Sequence, residues 1–307
     1  MTAAQDWTGR VGDVWAAEWR RTDRSLADLS RHLDAAIAAA APAGRFRAFD
    51  IGCGAGATSL ALAKARPDAE IIAVDLSDPL VAVAKQRANV LPSLDREGSG
   101  VGRLPQAHPS KEDNTAPTPP LPGRGAANLS FLPGDALNLA TEHAPFDLLY
   151  SRHGVMFFAD PVAAFTTLRR SAAPGARIVF TCFRDWTANA FTADPLAALD
   201  LPPPQTGPGP FAFADRDRVA AVLTAAGWRD STATPIDFTY RAGAGPDPIG
   251  DALDFLQRIG PAASALRGMA DGERAEAIDR LRGVIERYRV ADTVDFPAAA
   301  WLWSATA

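Results

Sequence analysis

Two consecutive strand-to-helix units, the first joined by glycines and the second ending on an acid, constrain this chain more than any other feature. Residues 46–51 form a short apolar strand run that opens into Gly52, Gly54 and Gly56. A helical stretch over 58–65 follows, whose Leu60, Ala61 and Leu62 can pack on a sheet. The pattern then repeats. Residues 70–75 carry Ile71, Ile72, Ala73 and Val74 and end on Asp75, and a helix is expected over 79–88. Two such units in succession dictate a parallel sheet with right-handed crossovers.

The alternation continues beyond them. Strands are expected over 128–132, before the turn Pro133-Gly134-Asp135, over 146–150, and over 177–183 after Pro174-Gly175, with a helix at 161–170. A proline-rich connector at 201–210 leads to a helix over 216–226 closed by Gly227 and a long strand over 230–240. Helical segments at 248–259 and 271–288 precede a last strand at 298–305, so a helical excursion of 245–292 forms a natural lid. At the other end, Trp15, Trp19, Leu26, Leu29, Leu33 and Ile37 recur at helical spacing and predict a helical cap over 1–44 ahead of the main domain of 45–307. Between Pro92 and Gly125 stand seven prolines and five glycines with few large apolar residues. Such a segment cannot bury enough surface to offset its ordering entropy, so 92–125 is expected to be a disordered insertion.

Bulk properties narrow the function. A formal charge of −5 and a pI near 5.4 give no broad basic field, which argues against nucleic acid as a partner. Only Cys53 and Cys182 occur, outside any zinc or redox spacing, which fits a reducing cytoplasm and no metal. The alanine-rich stretch after Asp34 is too short to span a membrane.

The chemistry begins at Asp50-Ile51-Gly52-Cys53-Gly54-Ala55-Gly56, where the first strand turns into the first helix. Glycines there let a ligand approach the backbone closely, and a helix N-terminus favours a negative group. Asp75 lies 23 residues after Gly52, at the end of the second strand, where an acid can accept hydrogen bonds from both hydroxyls of a ribose. The plainer alternative is that it merely caps the following helix, at whose start Ser77 and Asp78 also lie. Loop and acid together indicate a nucleoside, which could belong to NAD, FAD or S-adenosylmethionine. The third glycine stands one residue earlier than in the dinucleotide fingerprint, but Ala57 occupies that fingerprint's last place, where alanine is tolerated.

The series Phe49-Asp50-Ile51-Gly52-Cys53-Gly54-Ala55-Gly56, Ala73-Val74-Asp75-Leu76-Ser77, Gly134-Asp135-Ala136 and Phe146-Asp147-Leu148-Leu149-Tyr150-Ser151-Arg152 resembles the class I S-adenosylmethionine-dependent methyltransferases. The stretch from Ser151 to Pro161, the tryptophan-bearing N-terminal helices and the ending Ala300-Trp301-Leu302-Trp303-Ser304-Ala305 resemble a bacterial small-molecule group within that class, loosely similar to quinone-biosynthesis methyltransferases. The resemblance implies a Rossmann-like α/β fold with a seven-stranded, mostly parallel sheet in the order 3-2-1-4-5-7-6. It also implies S-adenosyl-L-methionine as cofactor and a small, partly hydrophobic methyl acceptor. Under it, the loop of Gly52, Cys53, Gly54 and Gly56 lines the methionine portion, Asp75 holds the ribose and Leu76 lies against the adenine. Asp135 accepts from the adenine amine with the Ala136 amide nearby, the Ser151 carbonyl faces the methionine ammonium, and Asp50 sits close to that charge.

Other readings stand beside these. Pro-Gly-Asp triplets make turns without a ligand, so Asp135 has a plain structural reading. His153, where a phenylalanine is more usual in the group, is either a general base or a packed histidine. Trp7, Trp15 and Trp19 either close over the site or belong to the core. An acceptor pocket is expected between the fourth-strand loop, the N-terminal helices and the lid, with His153, Met156, Phe157 and Trp186 as walls. The competing functions are a nicotinamide-dependent oxidoreductase and a non-catalytic methyltransferase-like interaction protein.

Overall fold

A computed structural model describes residues 7–90, 128–205 and 207–307. The insertion expected at 92–125 lies outside the described residues. Among the described residues the N-terminal preface includes the helices α1 (Arg10–Ala17), α2 (Trp19–Ser25) and α3 (Ala27–Ala40), broken at Glu18 and Leu26. In α3, Leu29, Leu33 and Ile37 recur every fourth residue and all three are buried. This stripe is what docks the preface onto the sheet.

The sheet follows from strands that are apolar on both sides. β1 (Phe46–Ile51) pairs in parallel with β2 (Ala69–Asp75) on one side and β4 (Phe146–Arg152) on the other. β2 pairs in parallel with β3 (Leu129–Pro133), and β4 with β5 (Ala172–Phe183). Parallel strands covered on both faces must read as near-continuous apolar runs, as β1, β2 and β4 do. Phe46 and Ala48 of β1 face a layer containing Leu33, Ile37, Leu62, Ile71, Leu148, Tyr150 and Val179. Phe49 and Ile51, on the opposite face, pack in a larger core with Ile72, Val74, Phe165, Leu168 and Phe180. The connecting helices are α4 (Ala57–Ala65), α5 (Asp78–Val90), α6 (Ala136–His143) and α7 (Pro161–Arg170).

After β5 come α8 (Ala190–Ala198), α9 (Arg216–Ala225) and the long β6 (Arg229–Ala244). The lid is three helices, α10 (Pro248–Leu256), α11 (Pro261–Gly268) and α12 (Asp271–Glu286), where two were expected. Gly260, at φ +96°, and Pro261 separate α10 from α11. A two-residue strand, β7 (Arg289–Val290), folds back on β8 (Thr293–Thr306). β8 runs antiparallel between β5 and β6, giving the order β3-β2-β1-β4-β5-β8-β6. The expected order is present, with β7 as an additional strand off the main path. Among the described residues, no helix is long and apolar enough to cross a membrane.

Helix starts are marked locally. Asp135, Asp160, Asp215 and Asp247 each accept a backbone N–H in the first turn of α6, α7, α9 and α10. Two helices carried no sequence signal strong enough to be recognised. α6 is eight residues long, and α8 is apolar without a stripe and contains Pro195. Packing holds α8: Asn189 at its start accepts from the Ala299 amide of β8 at 3.0 Å and donates to the Asp185 carbonyl at 2.9 Å.

Leu33 is fully buried where α3 meets the sheet. Leu33→Ala is expected to lower the unfolding free energy by about 2–5 kcal/mol, the range for truncating a buried leucine. Urea denaturation of the two proteins measures it, and an unchanged midpoint would contradict the placing of α3 in the core.

Candidate active site

The carboxyl ends of β1, β2, β3 and β4 lie side by side, and the polar residues singled out in the sequence collect at this edge. Asp50 on β1 is in register with Ala73 of β2 and Tyr150 of β4, and Asp75 on β2 with Pro133 of β3. The Gly134 amide donates to the Asp75 carbonyl at 2.9 Å, so the turn bearing Asp135 is tied to the end of β2.

Between β1 and α4 the chain turns through Gly52, Gly54 and Gly56 at φ +68°, +54° and +80°. An L side chain in this left-handed region costs roughly 1–2 kcal/mol per residue, and space separates the three further. A Cβ on Gly52 would lie 3.0 Å from Gly154 Cα, and one on Gly56 would lie 2.7 Å from the Phe131 ring. A Cβ on Gly54 would meet nothing within 4 Å. Gly52 and Gly56 are thus required by packing, whereas Gly54 borders open space. Gly56 leads into α4 with no side chain capping the helix, so first-turn N–H groups are left for another acceptor.

Asp75 faces this loop. Its Oδ2 accepts from the Gly54 amide at 2.8 Å and its Oδ1 from the Ser77 amide at 2.9 Å. Burial raises its pKa, and these two backbone bonds oppose the rise. The acid therefore holds the loop while each oxygen keeps a further lone pair. Leu76 follows it, half-buried. Asp135 caps α6 through Oδ1, which accepts from Leu137 and Asn138 at 3.0 and 2.9 Å. Its Oδ2 makes no hydrogen bond among the described residues, and Ala136 beside it is half-buried.

Asp50 is almost wholly enclosed. Ser59 Oγ donates to its Oδ2 at 2.5 Å and lies 3.0 Å from the Tyr150 hydroxyl. Burial pushes the Asp50 pKa up to about 7; the Ser59 bond and the Arg152 charge oppose this, and Asp75 and Asp34 add to it. Asp34 of α3 is pushed up to about 6 by burial against the pull of Arg152. Cys53 is buried, and burial followed by the neighbouring Asp50 and Asp75 charges drives its thiol upward, so it stays protonated.

From β4, Ser151 Oγ donates to the Ile51 carbonyl at 2.6 Å and accepts from the Gly154 amide at 3.0 Å. A Cβ on Gly154 would lie 2.4 Å from the Ile51 carbonyl, so this glycine lets the β4 loop close on the β1 end. His153 between them is held at φ +64° and buried, its ring stacked on Phe183 at 4.1 Å. Neither ring nitrogen has a hydrogen-bond partner among the described residues. Burial first, then the Arg152 charge, lower its pKa to about 3; the Thr181 carbonyl, which accepts from the His153 amide at 3.2 Å, pulls the other way. His153 is therefore a neutral imidazole at pH 7.

The N-terminal helices stand over this edge. A Cβ on Gly12 of α1 would lie 2.4 Å from Ser77 Oγ, so α1 touches the residue two beyond Asp75. Trp7 packs edge-on against Phe157 at 5.1 Å and tilted against Trp15 at 5.6 Å. Met156 beside Phe157 is buried, whereas Trp186 is half-buried and pairs with no ring among the described residues. Gly12, Ser59 and Gly154 were not singled out in the sequence. Their roles lie in contacts between distant segments, and only the glycine at 154, next to the last strand-four residues, carried a local signal.

Residues 49–180, from within β1 to within β5, match the model of a family described as a methyltransferase domain. The YcgJ protein of Bacillus subtilis is similar in structure at a TM-score of 0.53 and 16% identity, over 90% of this chain and 97% of that one. Phosphoethanolamine N-methyltransferase 2 of Haemonchus contortus, solved with S-adenosyl-L-methionine, is similar at a TM-score of 0.51 and 15% identity, over 100% of this chain and 60% of that one. No curated protein matches in sequence. The family match shows a methyltransferase domain in the segment 49–180, and the likeness to the solved structures shows that the chain shares their Rossmann-like α/β fold.

Proposed function

We propose that this enzyme methylates a small, partly hydrophobic acceptor, with the cofactor held at the common edge of β1, β2, β3 and β4. The observation that carries the cofactor assignment is the meeting of the left-handed loop with Asp75, where Gly54 borders open space and α4 begins uncapped. These features fit the group: the uncapped helix start suits a carboxylate, Asp50 suits an ammonium, and Asp75 suits a ribose. The loop of Gly52, Cys53, Gly54 and Gly56 lines the methionine portion and Ser151 offers its carbonyl to the same ammonium. Leu76 lies against the adenine, and Asp135, with Ala136, reaches the exocyclic amine through its spare oxygen. The bound cofactor supplies a methyl group already activated by a sulfonium charge.

The chain's own contribution is alignment and exclusion of water. The acceptor lies between the β4 loop, α1 and the lid, with His153, Met156, Phe157 and Trp186 as walls; the Trp7 contact with Phe157 supports this placing. His153 offers a neutral nitrogen to a polar group of the acceptor, and its depressed basicity makes it an orienting group rather than a proton acceptor. The free cysteines and acidic pI fit action in the cytoplasm. A turnover screen with labelled cofactor against small phenols, quinols, amines and carboxylates tests the acceptor class; transfer confined to macromolecules would overturn it.

In a thermal-shift assay, S-adenosylhomocysteine is expected to stabilise the protein and NAD to leave it unchanged. Asp75→Ala should abolish the shift, and an undiminished shift would remove Asp75 from the site.

Cofactor affinity should depend on pH near neutrality. In the free protein Asp50 holds its proton up to about pH 7, and pairing with an ammonium favours the ionised form. Binding therefore strengthens as pH rises through 7 and weakens below it, by up to about tenfold per unit for one linked proton. Asp34 titrates about one unit lower, so calorimetry on Asp34→Asn from pH 5.5 to 8 isolates Asp50. A flat profile in that variant would exclude the pairing.

For His153, replacement by phenylalanine should raise the acceptor KM several-fold with kcat within about threefold. The wild-type kcat should show no limb near the ordinary histidine pKa of about 6.5. Loss of kcat by orders of magnitude would instead make His153 the general base.

A further inference from the structure

Asp23, on the N-terminal helix α2, forms ion pairs with side chains from two elements of the cofactor edge. Its Oδ2 lies 2.8 Å from Arg87 Nη2, on α5, and its Oδ1 lies 2.8 Å from Arg152 Nη2, the last residue of β4. All three side chains are largely withdrawn from water, at 19%, 22% and 12% exposure for Asp23, Arg87 and Arg152. Ion pairs in such surroundings are screened much less than exposed ones, and removing one partner leaves the others as uncompensated charges.

The second arm of each arginine reaches a part of the site. Arg87 Nη1 donates to the Ala55 carbonyl at 2.6 Å, inside the glycine loop between Gly54 and Gly56. The Arg87 guanidinium also lies over the Trp19 ring of α2, 4.2 Å from its centroid, so its plane is fixed from the same helix that supplies Asp23. Arg152 Nη1 donates to Ser30 Oγ of α3 at 3.0 Å, and its charge lowers the pKa of both Asp50 and Asp34.

We propose that Asp23 is a positioning residue for methyl transfer, holding the glycine loop in its binding shape through Arg87 and setting the charge felt by Asp50 through Arg152. The proposal rests on the assignment of the loop and Asp50 to the cofactor. The arrangement makes docking of the N-terminal helices and ordering of the loop one event. A planar guanidinium is needed at 87, because one side chain must donate to a carboxylate and a carbonyl in different directions while stacking on an indole.

The groups that face Asp50 are Asp34 of α3, Asp75 of β2, Arg152 and Tyr150 of β4, the Cys53 thiol of the glycine loop and the Ser59 hydroxyl of α4. Neutralising Asp23 leaves Arg152 without its counter-charge, so its field favours an ionised Asp50 more strongly. Two separable effects follow: a looser loop, which weakens cofactor at every pH, and a midpoint of the binding profile moved to lower pH. A role confined to packing would not move the midpoint.

The experiment is calorimetric titration of the full chain with S-adenosylhomocysteine between pH 5.5 and 8, for the wild type, Asp23→Asn, Arg87→Met, the double variant and Asp75→Ala. Asp23→Asn and Arg87→Met are each expected to weaken binding about tenfold at pH 8, the loss of one charged hydrogen bond. The double variant should be no worse than the single ones, because both act through one link. The midpoint should fall in Asp23→Asn and stay in Arg87→Met, and Asp23→Glu should recover part of the affinity. If Asp23→Asn does not fold, Arg87→Lys keeps the cation but not the fork and should show the same tenfold loss. Wild-type affinity in a folded Asp23→Asn or Arg87→Lys, additive losses in the double variant, or an unmoved midpoint would overturn the proposal while Asp75→Ala still abolishes binding. Binding indifferent to Asp75→Ala, or absent in the wild type, would overturn the cofactor assignment and the proposal with it.

Discussion

Parallel strands buried on both faces must all end at the same edge of the sheet, and most of what this protein does depends on that constraint. β1, β2, β3 and β4 deliver Asp50, Asp75, the Gly134-Asp135 turn and Ser151 to one line, although these residues lie up to 101 positions apart in the chain. At that edge the backbone runs out of sheet partners, so its polar groups must be met by turns, caps or a ligand. The left-handed glycines provide the turn, Asp75 meets the Gly54 and Ser77 amides, and Ser151 bridges the Ile51 carbonyl to the Gly154 amide. The residues that satisfy the strand ends are the same few that we propose hold the cofactor through exposed N–H groups and acids.

The N-terminal helices answer to both needs as well. α3 is core, through Leu29, Leu33 and Ile37. α1, α2 and the Trp7 that precedes them are roof, through Gly12 on Ser77, Trp7 on Phe157 and Asp23 between two arginines. A second set of charges ties this roof to the lid. Glu18 pairs with Arg21 and Arg258, and Asp251 of α10 pairs with Arg21 and Arg24. Arg24 also donates to the Ala242 carbonyl of β6 at 2.6 Å. Roof and lid are thereby joined by directional contacts rather than by apolar burial alone, which leaves their interface responsive to charge.

Gathering acids at a dry edge costs stability in the free protein. Asp50 takes its proton more strongly when folded than when unfolded, so this group's contribution is complete below about pH 4 and is lost as pH rises through about 7. The strained φ of His153 and its two unpartnered nitrogens are costs of the same kind, borne beside the proposed acceptor wall. Such features are retained where function needs them, and here they cluster within a few residues of the strand ends.

Local features of the sequence determined the core strands, the glycine turn, the acids near the ends of β1 and β2 and the helical lid, because periodicity and glycine act over a few positions. The strand order became legible through a series of motifs spread along the chain rather than through any one of them. α6 and α8 were not legible, the first because it is short and the second because its apolar residues form no stripe and packing with β8 overrides Pro195. Tertiary structure alone decided that Gly12 must be small, that Asp135 caps a helix with one oxygen and keeps the other, that His153 is neutral and that Asp23 reaches both Arg87 and Arg152. The physical reason is common to them. Burial, charge and close approach depend on which distant segments meet, and a residue type at one position carries no record of its neighbours in space.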